Sequence, residues 1–420
     1  MPAGPARVAP ALSVIRDRLP GAVDLAIIGG GVAGAASAFF AARAGLSVLV
    51  LERRAAIASL TTRAATGGFR LQHDNREEFE LVRESLDFYL DFASRTGLDG
   101  WDLGIRQQGY LFCSRQEGSA ARGRDLVARQ REFGLDDVEV LSGDEARHRW
   151  SFLAPGVLQA RFRAGDGFID PVALATGFAL ASSQAGRIPG AESGGARYAL
   201  GVEVRGFLRG PGGAVTGVDT NRGDVHAGAT LIAAGPWSGT VAALAGLDLP
   251  MAPTIRQKLV IPELPIIDQQ GPMTIDEETG SHWRPALAGC YAIRTDPHTP
   301  AGEPLLEVPT DRVEAMALLD PSSQVALAHV APFWREVWSA GLPAWSLAAG
   351  QYEYTPDHRP FIGATGIPGL FVNTGYSGHG VMCAAGGARR AVEVLTGDAD
   401  PLAEPLRLGR PMPARTRDVL

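Results

Sequence analysis

Gly29, Gly31 and Gly34 stand at the spacing G-x-G-x-x-G, and Glu52 closes the apolar run that follows. This pattern can hold a dinucleotide. The first glycine permits a tight turn, the second lets the backbone approach a pyrophosphate, and the third lets helix and strand pack closely. The helix N-terminus then faces the phosphate charge. A terminal carboxylate can accept hydrogen bonds from a ribose diol. Arg53 and Arg54 could meet a 2′-phosphate, but Glu52 would repel one, so FAD or NAD is favoured over NADP. A Gly-rich turn without ligand is the alternative. Downstream, Thr374-Gly-Tyr-Ser-Gly-His-Gly380 is a second glycine loop ahead of a helix, with His379 inside it. Ala229–Ala234 runs into a third such turn, Gly235-Pro-Trp-Ser. His282 and Arg284 share one face if Ser281–Pro285 is a strand, with Trp283 opposite. Arg63, within TTRAATGG, is either an anion ligand or a solvated surface arginine.

The elements that must carry these residues follow from pattern. Leu25–Ile28 and Val48–Leu51 are short apolar runs suited to buried strands, with small residues Ala35–Ala44 between them. Together they form one βαβ unit. Asn75–Thr96 is an amphipathic helix, Gly109–Cys113 a strand, and Gln116–Phe133 and Asp144–Trp150 helices. Asp166–Pro171 is a turn that starts an Ala-rich helix. Strands are expected near Val202–Phe207, Ala214–Thr220, Asp224–Ala227 and, separately, Ala229–Ala234. Pro253–Ile261 and Gly289–Arg294 belong to a larger, more exposed sheet. Ala348–Tyr354 and Leu370–Asn373 are strands, and Val381–Leu395 is a helix stopped at Gly397. His73 reads as a surface loop residue, and Asp357 and His358 as turn-formers. Arg256 and Lys258 read as polar strand positions, and Trp334, Trp338 and Trp345 as core or interface.

Composition sets the limits. The chain has 420 residues, is 45% hydrophobic and 20% charged, and carries a net charge of −7. That is ordinary for a globular protein of two or three domains. No basic tract points to nucleic acid. Cys113, Cys290 and Cys383 are scattered, no metal spacing exists, and a reduced, cytoplasmic protein is expected. The first 20 residues read as a loose tail rather than a signal peptide, and no apolar run is long enough to span a membrane.

Several motifs occur together and in order: Gly29–Gly34 with Glu52, Asp166-Gly with Asp170-Pro171, Ala233–Ser238, Tyr354–Asp357 with Pro360, and Gly375–Gly380. In this combination the chain resembles the D-amino-acid oxidase/sarcosine oxidase (DAO) family of FAD-dependent oxidoreductases. Arg256-Gln and His282-Trp-Arg-Pro285 resemble sarcosine oxidase β subunits and imino-acid dehydrogenases in particular. The resemblance implies an α/β fold: a Rossmann-type (glutathione-reductase-like) FAD-binding domain with an interleaved α+β substrate domain on a large, mainly antiparallel sheet. The FAD-binding domain would take residues 21–98, 151–252 and 347–420, and the substrate domain 99–150 and 253–346.

Fingerprint and resemblance together give the cofactor contacts as Gly29, Gly31, Val32, Ala33, Gly34, Glu52, Arg53, Thr62, Val204, Ala234, Gly235, Trp237, Gly350, Gly378, His379, Gly380 and Val381. Several sarcosine oxidases attach FAD through a cysteine two residues before a tyrosine. Here Gly350 precedes Tyr352, so FAD is expected to be non-covalent. The catalytic candidates are Arg284, as fork for a substrate carboxylate, with His282, His379 and Arg63. The implied chemistry is oxidation of a C–N bond in an amino or N-alkyl amino acid, by hydride transfer to flavin N5. Met382 stands where monomeric sarcosine oxidases carry a lysine, which weakens the case for direct use of oxygen and keeps a dehydrogenase subunit passing electrons to a partner or quinone as an alternative. A 2-hydroxy-acid oxidoreductase and a FAD-binding assembly factor without turnover are further alternatives. The expected partner is a small amino or imino acid, with a homo-oligomer or an electron-accepting subunit left open.

Overall fold

The opening βαβ unit lies at the centre of the first of two large sheets. In the computed structural model, which describes residues 11–184, 194–342 and 344–413, strand Ala22–Ile28 runs parallel to Ser47–Glu52 and to Val225–Ile232. The helix Val32–Arg43 crosses between the first two. Its small residues let it pack closely: a side chain at Gly34 would strike the Gly29 carbonyl. Outward from this centre come Leu370–Thr374 and Phe361–Ala364 on one side and Gly195–Leu200 on the other, completing an eight-stranded sheet with Val215–Thr220 and Val204–Arg209. The long helix Gly380–Thr396 packs beside Val32–Arg43.

The second sheet is also eight-stranded and mostly antiparallel. Its strands alternate strictly. Leu111, Phe162, Leu259, Ile261, Trp283 and Ala292 point into one apolar core with the fully buried Trp334. The alternate residues point the other way, toward the first sheet's domain. Register puts His282 opposite Ile293, Arg284 opposite Tyr291, Lys258 opposite Ile293, and Arg161 opposite Phe112 on this second face. A face that looked merely exposed in sequence is therefore a buried, cation-rich wall.

Several expectations change. Asp224–Ala227 and Ala229–Ala234 are one strand, Val225–Ile232, in which Gly228 passes close to the Asp24 carbonyl. Strands Gln159–Arg163 and Ser346–Tyr354 pair within the second sheet, not the first, because each extends its ladder edge to edge. The expected tail is ordered over residues 11–20: Val14 bridges Tyr198 and Leu19 is buried. Residues 1–10 and 414–420 lie outside the described residues. No helix among the described residues is long and apolar enough to cross a membrane.

Candidate active site

The glycine turns of the first sheet open into one cavity of about 460 Å3. All the expected cofactor contacts line it except Gly34, Gly350 and His379. Gly34 acts one layer back, in helix–strand packing. Gly350 faces the short helix Thr61–Ala64, where an added Cβ would come within 2.9 Å of Ala64, so it permits close approach rather than touching the cavity. His379 lines the adjoining cavity.

At one end, Glu52 Oε2 accepts from the Gly30 N–H at 2.8 Å and Oε1 from the Arg54 N–H at 2.8 Å. These bonds fix the carboxylate and leave lone pairs for a ligand. The Arg53 guanidinium lies 3.6 Å over the Trp237 ring and flanks the same end. Val32 donates its N–H to Thr62 Oγ1 at 3.2 Å. The N-cap residues, Gly31 of helix Val32–Arg43 here and His379 of helix Gly380–Thr396 at the other end, give no side-chain cap, so apart from the Val32 N–H the first-turn donors of these helices have no cap from that residue. Helices Arg76–Leu90 and Pro171–Ser183, which begin elsewhere, are capped by Asn75 and Asp170. A long cavity with an uncapped helix N-terminus at each end fits FAD: one for the pyrophosphate, one for the electron-rich edge of the flavin. Glu353, 8% exposed, also lines the cavity, and burial pushes its carboxyl up to about 7.

A second cavity, about 90 Å3, shares Ala65, Tyr352, Gly378 and Val381 with the first. Arg70, Tyr110, His282, Tyr354, His358 and His379 line it, and among the described residues no Asp or Glu does. Its back wall is a buried polar network. Arg70 Nη2 lies 3.4 Å from His379 Nε2, and Nη1 lies 3.4 Å from His73 Nδ1. His379 Nδ1 lies 2.8 Å from Glu78 Oε1, while Asn75 Nδ2 donates to Glu78 Oε2 at 2.6 Å. A guanidinium can only donate, so His379 accepts at Nε2 and donates from Nδ1 to Glu78. Burial would push the Glu78 carboxyl up, yet the neighbouring His379, with His73 and the hydrogen bond from Asn75, holds it well below the usual carboxylate range. Burial and the Arg70 charge push His73 well down. The ligand atoms of His73, Glu78 and His379 lie within 4.8 Å of one another. The Arg70 guanidinium already contacts both rings, and its positive charge opposes a metal cation among them, so the cluster reads as a proton and charge network rather than a metal cage.

The catalytic expectations are thus partly redrawn. His282 lines the small cavity; burial lowers it to about 4, and its Nδ1 bonds the Gly280 carbonyl at 2.9 Å. Arg63 is exposed and lines neither cavity. Arg284 also lines neither: it packs on Phe168 and Tyr291, and Nη1 donates to the Pro285 carbonyl. His73, expected on the surface, is 2% exposed. Arg70 and Glu78 went unread, because only the Glu78–His379 contact, 301 residues apart in sequence, reveals them. Asp357 is structural: both its oxygens accept from Arg410, at 2.8 and 2.9 Å.

The profile of the FAD dependent oxidoreductase family (DAO) matches residues 24–394. A D-amino acid dehydrogenase of Cereibacter sphaeroides is 30% identical over 326 residues, which is 76% of this chain and 67% of that protein. A formaldehyde-forming 4-methylaminobutanoate oxidase of Paenarthrobacter nicotinovorans is 27% identical over 407 residues. That alignment covers 91% of this chain but only 44% of the relative, so the chain spans less than half of that protein. The crystal structure of L-proline dehydrogenase from P. horikoshii superposes with a TM-score of 0.77 at 24% identity, over 92% of this chain and 96% of that one, and shares the fold.

Proposed function

We propose that this chain, which belongs to the DAO family of FAD-dependent oxidoreductases, oxidises the C–N bond of an amino acid or N-alkyl amino acid. One observation carries the reading: a small cavity adjoins the large one beside the start of helix Gly380–Thr396, with a buried arginine in its wall and, among the described residues, no acidic side chain in its lining. Such a cavity favours a carboxylate. FAD, when bound, would supply a hydride acceptor for the substrate α-carbon, and the imine so formed would be hydrolysed by water.

The chain's own residues bind and orient. Arg70 offers its guanidinium to the substrate carboxylate. The Glu78–His379 hydrogen bond fixes the imidazole, and His379 in turn supports Arg70. His282, kept neutral by burial, holds its proton on Nδ1 toward Gly280, so its Nε2 is an acceptor suited to a substrate N–H. Tyr110, Tyr352 and Tyr354 give apolar walls that exclude water. Electron transfer to a partner subunit rather than to oxygen is a second reading, favoured by Met382 in the cavity wall.

Turnover with an artificial electron acceptor tests the proposal. An oxo acid and an amine or ammonia should form in equal amounts with the acceptor reduced. Oxidation of 2-hydroxy acids alone would overturn it.

A further inference from the structure

The inner wall of the second sheet carries two largely buried cations, Lys258 and Arg284, that pair with no carboxylate among the described residues. Lys258, 7% exposed, donates one hydrogen bond, from Nζ to the Ala65 carbonyl at 2.8 Å. Arg284 donates from Nη1 to the Pro285 carbonyl at 2.8 Å, and its buried Nε has no partner. Both lie against one ring: Lys258 Nζ is 4.4 Å and Arg284 Cζ 4.7 Å from the Tyr291 centroid. On the same wall, Arg161 pairs with Glu277 and Arg163 with Asp166 and Asp137. Lys258 and Arg284 have no such partner among the described residues. Asp170 attracts both only at a distance, and its Oδ1 already accepts from Val172 and Ala173. Arg106 adds a third positive charge beside Arg284. Burial first, then the neighbouring cation, lowers Lys258 to about 8; burial lowers Arg284 to about 10.

Two buried cations left in this state are costly, and an anion placed between them would offset that cost. The pair lies behind the lining of the small cavity rather than in it, and two lining residues link it to that space. The carbonyl that holds Lys258 belongs to Ala65, which lines both cavities, and the cavity residue Tyr110 lies in the field of Arg284. Tyr291 and Arg284 are partly exposed, so this rim is reached from solvent.

We propose that Lys258 and Arg284 form an anion subsite at the cavity rim that takes a second carboxylate of the substrate, so that the preferred substrates are amino dicarboxylic acids. The inference rests on the C–N oxidation reading above. Arg70 would hold the first carboxylate inside, and the rim pair the second.

The test uses holoenzyme and substrate pairs that differ only in a distal carboxylate or carboxamide, such as glutamate and glutamine, with both enantiomers and the N-methyl forms. The carboxylate member should show a kcat/KM at least about tenfold higher, mostly through KM. Lys258→Met and Arg284→Met should each reduce that preference about tenfold, and Lys258→Arg should restore it. Lys258→Met removes an unneutralised buried charge for a near-isosteric apolar chain, so the fold should survive. A readout without turnover accompanies this: succinate should raise the melting temperature of the parent holoenzyme and not that of Lys258→Met. Equal use of carboxylate and carboxamide, or an unchanged preference in Lys258→Met, overturns the subsite while C–N oxidation stands. If no amino acid is oxidised, the reading of the cavity falls and the subsite falls with it.

Discussion

Replacing Gly31 with valine puts a branched side chain where the first glycine turn meets the large cavity. The backbone accepts it: Gly31 has φ −75° and ψ −175°, an extended conformation open to any residue. Among the described residues other than its chain neighbours, the added Cβ would meet only Thr62 Oγ1 within 4 Å, at 3.5 Å, an ordinary contact. The apoprotein should therefore lose less than about 1 kcal/mol. The γ-methyls, however, enter the cavity ahead of the Ala33 and Gly34 N–H groups at the uncapped helix start. If two charge-assisted hydrogen bonds to a pyrophosphate are lost, at about 1.5–3 kcal/mol each, the cost is about 3–6 kcal/mol. That raises the Kd for FAD by roughly a hundred- to ten-thousandfold. The assay is the flavin-to-protein absorbance ratio after gel filtration, with calorimetric titration of apoprotein by FAD. Gly34→Val is the contrast: its side chain would strike the Gly29 carbonyl, so it should lose fold and flavin together. Full flavin occupancy in Gly31→Val, or an unchanged Kd, would refute the placement of the cofactor.

Three other outcomes follow from named contacts. Burial raises Glu353 from 4.5 to about 7, so the folded apoprotein holds a proton that the unfolded chain releases. Its stability should fall by about 3 kcal/mol as pH rises through that window. Glu353→Gln should match the parent near pH 5 and melt higher near pH 8; parallel melting curves across pH would contradict the assignment. Arg70→Met should lower kcat/KM for a carboxylate substrate ten- to a hundredfold or more, with FAD content near normal; an unchanged value removes Arg70 from the site. Arg410→Ala leaves the Asp357 carboxylate buried without its partner and should cost about 3–5 kcal/mol in urea unfolding; a loss under about 1 kcal/mol would show that the pair contributes little.

What the sequence made legible was local. Gly29, Gly31, Gly34 and Glu52 act through backbone geometry within one βαβ unit, so their spacing carries their role. Gly228 misled because a glycine in a strand reads as a break, whereas here it marks close passage of another backbone. The strand Gly195–Leu200 was missed because GARYAL lacks the dense β-branched signature and pairs only at a sheet edge. The polar network was out of reach. His73 and Glu78 follow the turn after Arg70, and only tertiary packing brings His379 to them. Arg284 marks a different limit. Its strand and face were read correctly, but alternation cannot say how far along the wall the cavity extends.

The central claim is that the chain's FAD is reduced by an amino acid held by its carboxylate. Anaerobic mixing of holoenzyme with a panel of amino and N-methylamino acids, each beside the amine that lacks the carboxylate, tests this most directly. The account predicts that the flavin bleaches with at least one acid and stays oxidised with the matching amine. A flavin that no acid bleaches, or that acid and amine bleach alike, would contradict it.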